Sequence, residues 1–73
     1  MEVKIGVQHA PREIVLETNE DRDTLEKKVA AAVKDNGTLA IDDNRGRRVL
    51  VPGDRIAYVE MGGGVSGQVG FRS

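Results

Sequence analysis

The chain has no cysteine and no tryptophan, and only one histidine, one tyrosine and one phenylalanine among 73 residues. Without cysteine there is no disulfide framework, no thiolate zinc or iron–sulfur site and no cysteine nucleophile. A single histidine, His9, falls short of the converging ligands a metal site needs. Scarce aromatic rings remove the platforms on which single-stranded nucleic acid stacks, so nucleic-acid binding is disfavoured. No apolar run approaches the ~20 residues of a membrane-spanning helix. The opening Met-Glu-Val-Lys lacks the charged-then-hydrophobic plan of a secretory leader. The expectation is therefore a cytoplasmic protein that engages no membrane.

What is present fits one small globular domain over residues 1–73, with 32% charged and 38% hydrophobic residues and a net charge of −1. A chain this short buries only ~60% of its unfolded surface, so its core is small.

Val3, Ile5 and Val7 alternate with Glu2, Lys4 and Gln8, the period of a half-buried strand. Pro11 sits in a turn over 9–12, and a second strand over 13–18 points Ile14 and Leu16 inward. Leu25, Val29, Ala32 and Val33 then recur at helical spacing, predicting an amphipathic helix over 22–35. Asp21 and Asp23 are both competent N-caps, and Asn36-Gly37 offers the left-handed residue that ends helices. Thr38 to Asp42 alternates again, Asp43-Asn44-Arg45-Gly46 is turn chemistry, and a return strand covers 47–51. Pro52-Gly53-Asp54 breaks the chain before a strand over 55–61. Four glycines in Gly62–Gly67 predict a loop, and Gln68 to Phe71 a short last strand.

The expected fold is α+β, ordered ββαβββ: a mostly antiparallel sheet with one helix on one face. A β-grasp-like arrangement, with the last long strand beside the first, suits this order.

Several strands are apolar on both faces. If Val49 and Val51 face the helix, Leu50 faces away; Val15 and one of the sets Ile56/Tyr58 or Val59/Met61 are also surplus. One helix cannot cover both faces of a sheet, so these side chains predict either an exposed contact patch or a sheet curled on itself.

Charge is uneven. Residues 1–43 carry a net −4 and residues 44–73 a net +3, with Arg45, Arg47, Arg48 and Arg55 near one turn and the next strand start. Arginine's planar fork suits carboxylate or phosphate. The leading expectation is a non-catalytic interaction or regulatory module. In it Leu50, Tyr58 and Val59 supply apolar contact, while Arg45, Arg47, Arg48 and Arg55 face an acidic protein surface. One rival is an anion-, nucleotide- or RNA-binding protein using the same arginines; another is a structural homo-oligomer.

Catalysis is not expected. The Gly62–Gly67 stretch has no lysine and leads into no helix, unlike a phosphate loop. Asp42-Asp43 reads as a solvated turn pair, and Thr18, Thr24 and Ser66 have no partner base. No cofactor or metal is expected.

The runs Met1 to Val7, Pro11 to Leu16, Gly46 to Pro52, Arg55-Ile56-Ala57-Tyr58-Val59-Glu60 and Val69-Gly70-Phe71 resemble a family of small actinobacterial proteins catalogued as domain of unknown function 3107. The resemblance spans nearly the whole chain. It implies a small cytoplasmic single-domain protein and brings no biochemical activity with it.

Overall fold

The computed structural model describes residues 1–62. Its elements are β1 (Glu2–Val7), β2 (Ile14–Glu17), α1 (Arg22–Lys34), β3 (Thr38–Asp42), β4 (Arg48–Pro52) and β5 (Ile56–Met61), with a 3-10 turn Gly53–Arg55 between β4 and β5. The ββαβββ order and the α+β class are those expected from the sequence. The loop expected beyond Gly62 and the strand over Gln68 to Phe71 lie outside the described residues.

The local reasons are explicit. His9 turns the first hairpin at φ 64°. Asp21, not Asp23, caps α1: its carboxylate accepts the Thr24 N–H at 3.2 Å. Asn36 takes the left-handed conformation at φ 57°, and the Gly37 N–H closes the helix end on the Ala32 carbonyl at 2.9 Å. In α1 the line Leu25, Val29, Ala32 faces the core. Val33, also expected inward, is 52% exposed. It lies about 100° further round the helix than Ala32, beyond what so small a core can cover.

The strands form two antiparallel sheets, β2-β1-β5 and β3-β4, where the sequence suggested one. The cause is the short link after β4. The Gly53 N–H bonds the Gly37 carbonyl at 2.7 Å, fastening the 3-10 turn against the end of α1, and the chain leaves it to pair with β1. The last long strand does lie beside the first, in antiparallel register from Val3 opposite Met61 to Val7 opposite Ile56.

That register slips between Gly6 and Val7. The resulting bulge lets Ile56 point inward as well as Val59 and Met61, while Tyr58 points out. The core is Val3, Ile5, Leu16, Leu25, Ala32, Leu39, Ile41 and Val51, drawn from both sheets and the helix.

Thr18 joins the two sheets. It is buried, its hydroxyl donates to the Asp42 carbonyl at 2.7 Å and accepts the Glu20 N–H at 3.1 Å, and its own N–H donates to the Met1 carbonyl. Nearby, the Asn44 N–H bonds the Glu17 carbonyl at 2.8 Å.

Candidate interaction surface

The turn joining β3 to β4 is built on Asp43, a carboxylate only 7% exposed. One of its oxygens accepts the backbone N–H groups of Arg45 (2.9 Å) and Arg47 (3.0 Å); the other accepts from the Arg47 guanidinium at 2.7 Å. The Arg47 backbone N–H is the main reason its pKa falls below the usual aspartate value. Gly46, at φ 88°, completes the turn with a geometry other residues adopt only under strain.

On the exposed side Arg48 grips Asp42 with two nitrogens, at 2.6 and 3.3 Å. This hydrogen-bonded pair lowers the Asp42 pKa and raises that of Arg48. Two of the three hairpin arginines are therefore held by acids of their own hairpin. Asp42 lies directly opposite Arg48 in the strand register, so the pairing follows from counting outward from the turn.

Arg45 differs: among the described residues its guanidinium enters no ion pair. With Arg47 it flanks a groove of about 210 Å³ whose other wall includes Glu2, Val15 and Glu17. Arg55 does not join them. Its carbonyl accepts the Gln8 N–H, past the Val7 end of β1, whereas the turn containing Arg45 is fastened to Glu17, which pairs with Glu2 at the opposite end. The whole length of β4 separates the two places.

The apolar candidates also part company. Val59 faces inward and packs against the core, because the regular part of the register sets it opposite the buried Ile5. Tyr58 faces outward, but its ring lies across Gly6, where a methyl group would overlap it. Its hydroxyl donates to the Glu13 carboxylate just before β2. Tyr58 thus spans β5, β1 and the entry to β2. The Glu13 bond, with some loss of hydration, raises its pKa above the ordinary phenol value.

Of the three apolar candidates, Leu50, Tyr58 and Val59, only Leu50 remains uncommitted. It stands outward in the middle of β4 and is 62% exposed, opposite Ala40 and next in line to the Thr38–Pro52 pair. Beside Ala40, a shallow cleft of about 370 Å³ runs between α1 and β3, with Ala31 and Thr38 in its wall and Lys28 and Asp35 on its rim. The surplus hydrophobes consequently do not form one patch: Val15 and Tyr58 belong to the three-stranded sheet and Leu50 to the hairpin. Sequence reasoning missed Ala40, whose small side chain gives no hydrophobic signal; only the observed register places it opposite Leu50.

Among the described residues no cluster of three or more His, Asp or Glu side chains could hold a metal ion, and no helix is long and apolar enough to cross a membrane. The family described as "Protein of unknown function (DUF3107)" matches residues 1–72. The chain belongs to this family. Membership in DUF3107 covers every element described above and carries no activity with it. A comparison with curated proteins finds no match.

Proposed function

We propose that this DUF3107 chain is a small, non-catalytic protein-interaction module whose contact surface is the outer face of the β3–β4 hairpin. Leu50 is the centre of that surface, Ala40 and Pro52 adjoin it, and Arg45 and the Asp42–Arg48 pair form its polar rim. The observation that carries this reading is the exposure of Leu50, in the middle of a strand whose neighbours Val49 and Val51 are inward. A leucine surrounded by small and apolar neighbours and rimmed by charge has the composition of an interface centre.

Anion capture is the weaker reading, because Asp42 and Asp43 already occupy Arg48 and Arg47. Arg45 is left as a steering charge towards an acidic partner surface. Tyr58 and Val59 are assigned to the fold, and Arg55 to neither.

The test compares two surface variants, Leu50→Asp and Val15→Asp, as baits alongside the wild-type chain in the cell of origin. Loss of the bound protein with Leu50→Asp and its retention with Val15→Asp is the expected result. The reverse pattern assigns contact to the three-stranded sheet instead. Titration with inorganic phosphate and with a nucleotide checks the rival reading: saturable binding that disappears in Arg47→Ala/Arg48→Ala favours anion capture.

A further inference from the structure

The two edges of the β3–β4 hairpin are treated differently. The Asp43 N–H bonds the Arg47 carbonyl, so bonded pairs continue at Ile41/Val49 and Leu39/Val51. The backbone groups of Ala40 and Asp42 on β3, and of Arg48 and Leu50 on β4, therefore point away from the hairpin. On β3 three of these four groups are covered. The Asp42 carbonyl takes the Thr18 hydroxyl, the Asp42 N–H donates to Glu20 at 3.1 Å, and the Ala40 carbonyl takes the Lys28 ammonium at 3.4 Å. Lys28 is itself held by Glu20 at 2.6 Å. On β4, among the described residues, no hydrogen bond reaches the outward N–H or carbonyl of Arg48 or Leu50. An open edge carrying an exposed leucine is a template for another strand.

We propose that the strand it accepts is β4 of a second copy, paired antiparallel about a two-fold axis at Leu50, so that the two hairpins form one four-stranded sheet. This deepens the reading of the hairpin as the contact surface and rests on it. In that register Leu50 exchanges both backbone hydrogen bonds with the partner's Leu50, and the Arg48 N–H reaches the partner's Pro52 carbonyl. Pro52 has no N–H to offer on the open side, which ends the ladder there. The two leucine side chains come side by side on the outer face. Charge is complementary at the ends: Arg47, just before β4, comes beside the partner's 3-10 turn, which carries the partner's Asp54. Arg55, the last residue of that turn, is already tied through its carbonyl to the Gln8 N–H beyond the Val7 end of β1. A two-fold pairing consumes both β4 edges, so the product is a closed dimer and not a filament.

The test is amide hydrogen exchange on the full chain at two concentrations a hundredfold apart, with mass followed by light scattering. A dimer at the higher concentration is expected, with the Arg48 and Leu50 amides slowed about tenfold or more. The Ala40 amide, on the opposite edge, serves as the control and keeps its rate. Leu50→Pro removes the donor at the axis and Leu50→Asp places two like charges there; both are expected to stay monomeric. The exchange pattern of the wild-type chain stands even if a variant fails to fold. A monomer at the higher concentration overturns the proposal, as does a dimer whose Leu50 amide exchanges at the dilute rate. If self-pairing fails while Leu50→Asp still loses a different bound protein, the contact-surface reading survives alone. If Val15→Asp abolishes the dimer and Leu50→Asp does not, both readings fall.

Discussion

On the three-stranded sheet the outward positions carry Glu2, Lys4, Glu17 and Glu60 around a single large aliphatic side chain, Val15, and the one large ring among them, Tyr58, lies over Gly6 and ends on Glu13. On the β3–β4 hairpin the outward positions carry Ala40, Leu50 and Pro52, with the Asp42–Arg48 pair at one end. Each sheet buries its inner face in the same core. The first surrounds its one large exposed aliphatic side chain, Val15, with charged residues and the anchored Tyr58 ring, whereas the second leaves the larger Leu50 in solvent beside Ala40 and Pro52. Exposure alone does not mark a contact site: Tyr58 is also partly exposed, yet its ring and hydroxyl are both engaged within the subunit.

The largest expected effect comes from separating the hairpin from the rest. A methyl group at Gly53 would run into the Ala32 carbonyl, and the Gly37 carbonyl lies close behind. Gly53→Ala is expected to cost about 3 kcal/mol in urea unfolding, since backbone cannot move aside as a side chain can. Thr18→Val keeps the shape but leaves the part-buried Asp42 carbonyl and Glu20 N–H without the Thr18 hydroxyl. A loss of about 1–3 kcal/mol is expected in the same assay. Either result near zero would mean that the two sheets are held together elsewhere.

The face carrying Tyr58 can be read optically, because Tyr58 is the only tyrosine and there is no tryptophan. Its raised pKa means that its contribution to stability is complete below the unfolded value of about 10 and is lost as pH rises through the folded value. Tyrosinate absorbance should therefore appear above pH 10 in the folded protein, and at lower pH in Glu13→Gln than in wild type. Unchanged midpoints would remove Glu13 from the account. The smallest effect belongs to the hairpin face: Leu50→Ser should change the stability of the dilute chain by no more than about 0.5 kcal/mol. A larger loss would show that Leu50 packs within the subunit, and the contrast between the two faces would disappear.

Much of this molecule was legible in its residues. Alternation placed β3 at its observed bounds, and Asn36 marked the helix end. Pairing was less accessible, because a period of two tells which side chains share a face but not which strand lies alongside. The split into two sheets depends on Gly53 meeting the helix end, a contact between residues far apart in sequence. The bulge opposite Val7 was hidden for a related reason: it changes parity inside Ile56-Ala57-Tyr58-Val59, a run apolar enough to fit either face. The arginines were visible as a cluster, but their availability depended on the acids across the turn. Charge counted along the chain does not report that; register does.

β1 is the middle strand of its sheet, and its two neighbours come from opposite ends of the described chain. During synthesis β2 can pair with it early, but a lone two-stranded hairpin is only marginally stable in water. β5 must leave the ribosome before Val3 and Ile5 are fully enclosed. A nascent or stalled chain ending before Ile56 therefore exposes the most buried strand of the finished protein along one edge. Quality control would meet that form of the chain as an aggregation-prone one.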